Sequence, residues 1–132
     1  MKNLKRKKFE EYAQAIKDLG YKVFVRKYDG DDYLNNYGWI VNDKDEIGYF
    51  QLDRFGIAIT FSTRHKPCYG IGCGFGLDDE FEGWKTFDKE VVDRCFMHHP
   101  DWAKRCDIPK IHKWTATEFF AKYWNKENII EF

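Results

Sequence analysis

Tyr37-Gly38-Trp39-Ile40-Val41, Ile47-Gly48-Tyr49-Phe50-Gln51-Leu52 and Ile57-Ala58-Ile59-Thr60-Phe61-Ser62-Thr63 are three short runs rich in β-branched and aromatic residues. Such side chains suit a pleated surface, where each packs against its cross-strand neighbours. Asn42 to Glu46 separates the first two runs, and Phe55-Gly56 leads into the third. These connections are polar or contain glycine, as turns require. Their shortness selects antiparallel neighbours, because a parallel pair needs a long crossover. The three runs together predict a β-meander.

The pattern extends upstream. Tyr21 to Tyr28 alternates, with Tyr21, Val23 and Val25 opposite Lys22, Phe24 and Arg26, and so predicts another strand. Asp29-Gly30 is a turn signal, and Asp31 to Asn36 reads as a loop. Before them, Asn3 to Leu19 has helical spacing, with Phe9, Tyr12, Ala13, Ile16 and Leu19 on one face. Gly20 stands where a C′ glycine ends a helix.

Downstream, Pro67 breaks the run of strands. Tyr69-Gly70-Ile71-Gly72-Cys73-Gly74-Phe75-Gly76-Leu77 then alternates with glycine. Extended, it would put its side chains on one face and bare backbone on the other. It reads as a fifth strand that something must approach closely, either aromatic rings of the same chain, a ligand or a partner. From Thr86 the period returns to helical, with Phe87, Val91, Val92, Cys95 and Phe96 as an apolar stripe ending at His99-Pro100. Pro100 to Arg105 reads as a further helical turn. Thr115 and Glu118 have capping-box spacing and open a last helix carrying Phe119, Phe120, Tyr123 and Trp124. The expected fold is α+β. An antiparallel meander of four to five strands carries an N-terminal helix and two to three C-terminal helices on one sheet face. Residues 1–132 make a single domain, with no linker or internal repeat.

Composition narrows the function classes. Aromatic residues make up 19% of the chain, roughly double the usual share. A core of that kind argues against disorder. No apolar run approaches the ~20 residues that span a bilayer, and the basic N-terminus is followed by no apolar segment of a secretory signal. The expectation is a cytoplasmic protein with no membrane partner and with reduced Cys68, Cys73, Cys95 and Cys106. The 22 basic and 22 acidic side chains cancel, but unevenly. Lys2, Lys5, Arg6, Lys7 and Lys8 crowd the start, whereas Asp78, Asp79, Glu80 and Glu82 follow the glycine stripe. That dipolar pattern fits neither an acidic DNA mimic nor a strongly basic nucleic-acid binder.

The candidate sites are these. Gly72 and Gly74 offer a flat backbone platform, with Asp78, Asp79, Glu80 and Trp84 beside it as an acidic, aromatic binding loop. Tyr123 and Trp124 on the last helix are further binding candidates, since exposed aromatics carry interface energy. Lys5, Arg6, Lys7 and Lys8 could hold phosphates of a nucleic acid. His65 could act as a general base, with Arg64 holding an anion. His65, Cys68 and Cys73 are a loose zinc-ligand set, but no tight Cys-x2-Cys pair supports them. Cys95 belongs to an apolar stripe and is expected to be buried. No motif fixes a catalytic triad, and no cofactor is implied.

The stretch from Ile47-Gly48-Tyr49-Phe50-Gln51 through Ser62-Thr63-Arg64-His65-Lys66-Pro67 to Gly72-Cys73-Gly74-Phe75 is similar to small uncharacterised proteins of phages and other mobile elements. The resemblance implies an accessory protein that binds and modulates a host protein, such as a defence component. The aromatic surplus and the missing catalytic motif favour the same class, a small intracellular binding module. The alternatives are a ligand-binding or enzymatic domain centred on Arg64, His65 and the glycine-rich strand, and a nucleic-acid binder using the basic N-terminal helix.

Overall fold

A computed structural model of the chain describes residues 4–27, 36–53, 55–62, 87–93, 95–96 and 115–132. The strands are Lys22–Arg26 (β1), Tyr37–Val41 (β2), Ile47–Leu52 (β3), Ile59–Ser62 (β4) and Ile129–Glu131 (β5). The helices are Leu4–Asp18 (α1), Lys89–Asp93 (α2) and Ala116–Tyr123 (α3). One sheet has the order β4-β3-β2-β1-β5, and every neighbouring pair is antiparallel. β1 to β4 are the expected meander, and the fold class is the expected α+β.

Register places Trp39 between Phe24 on β1 and Tyr49 on β3. Those three rings share one sheet face by alternation. The opposite face carries Val23, Val25, Ile40, Phe50, Leu52, Ile59 and Phe61. Both faces of β2 and β3 are therefore apolar, and each face needs a cover. α1 supplies Phe9, Tyr12, Ala13 and Ile16 to the second face, joined by Phe87, Val92, Cys95 and Phe96 from the α2 region. α3 covers the first face with Ala116, Phe119 and Tyr123. The helices thus lie on both sides of the sheet, not on one as the sequence reading held. The near-continuous apolar runs of β2 and β3 required this, since one-sided burial gives strict alternation of apolar and polar.

Local signals set the ends. Gly20 closes α1 at φ +106°, a conformation that costs a residue without a Cβ little. Thr115 caps α3, its Oγ1 accepting from the Glu118 N–H at 3.1 Å. The β2–β3 turn also receives α3, because the Asp45 C=O accepts from the Ala116 N–H at 2.8 Å. α2 is shorter than the apolar stripe implied. Cys95 and Phe96 follow it in a turn, with the Cys95 N–H donating to the Val92 C=O at 3.0 Å. β5 was not expected. It is only three residues long, and a run of Ile-Ile-Glu has no readable period. The glycine-alternating segment, read as the fifth strand, lies outside the described residues. No described helix is long and apolar enough to cross a membrane.

Gly48 on β3 has a packing reason. A Cβ there would overlap the Cys95 Sγ, so the bare backbone is the notch that seats the thiol. Gly48→Ala is expected to destabilise the fold by about 1–3 kcal/mol through overpacking, read as a lower Tm. In a Cys95→Ala background the penalty should shrink, because the overlapping atom is gone. An undiminished penalty would refute this account of the contact.

Candidate binding surface

The β3–β4 turn presents apolar side chains to solvent on a fixed backbone. Phe55 is 65% exposed and Ile57 52%. Two hydrogen bonds close the turn, from the Asp53 N–H to the Ala58 C=O at 2.9 Å and from the Gly56 N–H to the Asp53 C=O at 3.1 Å. The Asp53 carboxylate also accepts from the Ile57 N–H at 2.9 Å. Gly56 sits at φ +74°, and the stem of Lys5 crosses the space where its side chain would be. From α1, the Tyr12 hydroxyl donates to the Ile57 C=O at 2.9 Å. The turn is thus tied to itself and to the helix beneath it. Two large apolar groups held this way lose little further freedom on binding.

Helical geometry puts Leu4, Lys5 and Lys8 on the flank of α1 nearest this turn, since Lys5 and Tyr12 both reach it. Leu4 is 81% exposed. The Lys8 ammonium lies 5.5 Å from the Tyr12 ring centroid. Lys7 is exposed on the far side of the helix. Arg6 is different. It is 2% exposed, with its Nη2 donating to the Arg26 C=O at 3.0 Å and its Nε to Glu10 at 3.1 Å. Its guanidinium also lies over the Phe9 ring, at 5.1 Å from the centroid. The basic run Lys5, Arg6, Lys7 and Lys8 therefore does not make one exposed face. Arg6 belongs to the interior and the lysines part around the helix.

The last-helix candidates also separate. Tyr123 is buried, its ring 4.8 Å from that of Phe119. Trp124 is 36% exposed, with its edge against Phe24 and Phe120. Gly72, Gly74, Asp78, Asp79, Glu80, Trp84, Arg64, His65, Cys68 and Cys73 all lie outside the described residues. Cys95 is buried as expected, and burial pushes its thiol well above the usual range. Among the described residues no group of three or more His, Cys, Asp or Glu side chains could hold a metal ion.

Two polar arrangements escaped the sequence reading. At one end of the sheet, Arg26 Nη1 donates to the Tyr37 hydroxyl at 2.9 Å, and that hydroxyl donates to Glu127 at 3.4 Å. Burial, then the Glu127 charge, pushes the Tyr37 phenol up to about 12. Nearby, the Asn36 backbone C=O accepts from the Leu52 N–H at 2.9 Å, but among the described residues its buried amide has no partner. At the other end, Tyr21, Asn42, Asp43, Lys44, Lys89 and Asp93 line a polar cleft of about 410 Å³. There the Tyr21 hydroxyl donates to Asp93, and burial with that acceptor raises its phenol far above the usual range. The sequence held one signal for the first arrangement, since Arg26 shares its strand face with the aromatic Phe24.

Comparison with protein-family models, with curated proteins and with solved structures finds no match to the chain.

Arg6→Ala should lower stability by about 2–3 kcal/mol, because it removes charge-assisted bonds from a buried site. Lys7→Ala should stay within about 0.5 kcal/mol of the parent. Equal effects in chemical denaturation would refute the division of the basic run. Tyr37 makes stability depend on alkaline pH. Its folded phenol titrates near 12 against an ordinary 10, so between these values the folded state holds a proton that the unfolded state has lost. Stability from this group is complete below pH 10 and falls as pH rises through that window. Tyr37→Phe should make the decline shallower, and an unchanged slope in denaturation midpoints would count against the assignment.

Proposed function

We propose that this protein is a small binding module that docks on another protein through the β3–β4 turn. The observation that carries the reading is the pair Phe55 and Ile57, exposed on a backbone that three hydrogen bonds and one glycine hold in place. Exposed apolar groups gathered at one place on a surface mark interaction sites. Aromatic and aliphatic anchors of this kind dominate the energy of protein interfaces. The aromatic surplus points the same way. Most described aromatic rings fill the two cores, while Phe55 and Trp124 remain exposed to solvent. The resemblance to accessory proteins of phages and mobile elements makes a host protein the proposed partner, with modulation of that host component as the outcome of binding.

The test is retention of a protein from nuclease-treated host lysate by the immobilised chain. Phe55→Ser combined with Ile57→Ser should abolish retention while stability stays within about 0.5 kcal/mol, as for exposed positions. Retention that survives both substitutions would place the docking surface elsewhere. Retention seen only from untreated lysate would assign the partner to nucleic acid.

A further inference from the structure

We infer that the cleft between the β2–β3 turn and α2 is a second binding site, one that takes a small zwitterion such as a free amino acid. It stands apart from the docking surface proposed above, at the opposite end of the sheet. The register fixes that separation. Lys22 pairs with Val41 and Val41 with Ile47 at the cleft end, whereas Gln51 pairs with Thr60 and Leu52 with Ile59 at the end of the β3–β4 turn.

The cleft has about 410 Å³ of room, within the ordinary range of small-molecule sites. Its walls are already set. On one side the Asn42 side-chain oxygen accepts from the Lys44 and Glu46 N–H groups at 3.0 and 2.9 Å and so fixes the β2–β3 turn. On the other, the Asp88 carboxylate accepts from the Val91 N–H at 3.1 Å, and Val92 is anchored in the core. Tyr21 is buried and also lines the cleft, its hydroxyl donating to Asp93 of α2. A ligand therefore meets a backbone that needs little further ordering.

The lining selects the ligand. Asp43 and Lys44 come from the turn and Lys89 and Glu90 from α2, so each wall brings both signs of charge. Among the described residues no hydrogen bond or ion pair engages the side chains of Asp43, Lys44 or Glu90, whereas Asp93 is taken by Tyr21. Any ligand that enters strips water from these charges, at a cost unless it replaces what they lose. A phosphate meets three carboxylates, and a bare cation meets two ammonium groups. A neutral sugar compensates neither sign, and the Tyr21 ring on which it would stack is faced by the Lys89 ammonium at 4.4 Å from its centroid. A molecule with its own ammonium and carboxylate matches both signs, the first with Asp43 and Glu90 and the second with Lys44 and Lys89. A second hollow of about 450 Å³ shares Gly20, Asn42 and Asp43 with the cleft and leaves room for the rest of the ligand.

The experiment titrates the isotopically labelled full chain with each common L-amino acid and each glycyl dipeptide, read by amide NMR. At least one should shift the resonances of Gly20, Asn42, Lys44 and Glu90. Its N-acetyl and carboxamide forms each lack one charge and should bind about tenfold or more weakly, and Lys44→Gln and Glu90→Gln should weaken the intact ligand to a similar degree. Both positions are exposed, so Tm should hold in both variants, and the analogues test the charges with the protein unaltered. Undiminished binding to both variants would put the ligand elsewhere and overturn the site. Equal affinity for the intact, acetylated and carboxamide forms would overturn the zwitterion. Shifts at these amides from inorganic phosphate or glucose, with none from the amino acids and dipeptides, would overturn the ligand class, and no shift from any of these probes would overturn the site itself.

Discussion

The double-sided apolarity of β2 and β3 is the constraint on which the remaining architecture depends. A pleated strand sends alternate side chains to opposite faces. Tyr37, Trp39 and Val41 go one way on β2 and Ile40 the other, while β3 sends Ile47 and Tyr49 against Phe50 and Leu52. Neither face can be left in water. One needs α1, which precedes the sheet, and the other needs α3, which follows it. Having covered the far face, the chain returns as β5 beside β1, where Ile130 faces Val25 and the Phe132 N–H donates to the Val23 C=O at 2.9 Å. Lys17 of α1 then donates to the Phe132 C=O at 2.9 Å. The beginning and end of the described structure are thus tied together across one edge of the sheet.

Glycine and aromatic residues divide the labour of fitting these layers. Gly38 accommodates the Phe24 carbonyl and the Phe50 ring, and Gly48 the Cys95 thiol. Phe9 stacks on Phe50 with ring centroids 5.3 Å apart, and Trp39 meets Phe119 at 5.8 Å on the other side. Where a large side chain presses close to the sheet, a missing Cβ makes the room. The tyrosines sit at the margins, because each hydroxyl needs a partner once its ring is buried. Tyr12 reaches the β3–β4 turn, Tyr21 reaches Asp93 and Tyr37 lies between Arg26 and Glu127. The polar network therefore rings the two cores and leaves their centres apolar.

The elements with a strong local signal were legible in the sequence. β2 and β3 begin and end where their composition changes, α1 stops at its glycine, and Thr115 caps α3. What could not be read from one dimension was which layer each helix joins. That depends on summing the two faces of neighbouring strands, and the eye follows one stripe at a time. Arg6 illustrates the same difficulty at a single residue. Among five basic neighbours nothing local marks it, and its burial follows only from the β1 carbonyl that lies opposite. β5 has no local signal either and is recruited by the open edge of β1. The proposed docking turn was half legible. Phe55-Gly56 leads into β4, but that Phe55 and Ile57 are exposed follows from the path between β3 and β4. The candidates placed on the glycine stripe, the acidic loop and the His65 region fall outside the described residues.

A turn is a fitting place for binding in such a fold. The two cores leave the sheet faces closed, so neither presents a surface that a partner could use without displacing a helix. On the proposed reading, function falls to the ends of strands, where loops meet solvent on a scaffold. Of the described ends, the polar cleft holds the Tyr21 hydroxyl against Asp93. The Tyr37 end turns its hydroxyl inward to Arg26 and Glu127. At the β3–β4 turn, by contrast, hydrogen bonds hold the described backbone, and the described side chains of Phe55 and Ile57 are exposed. Rigidity and exposed apolar area coincide there, and that coincidence supports the proposed docking surface. Ordering costs little because the backbone is already held, and covering Phe55 and Ile57 removes apolar surface from water.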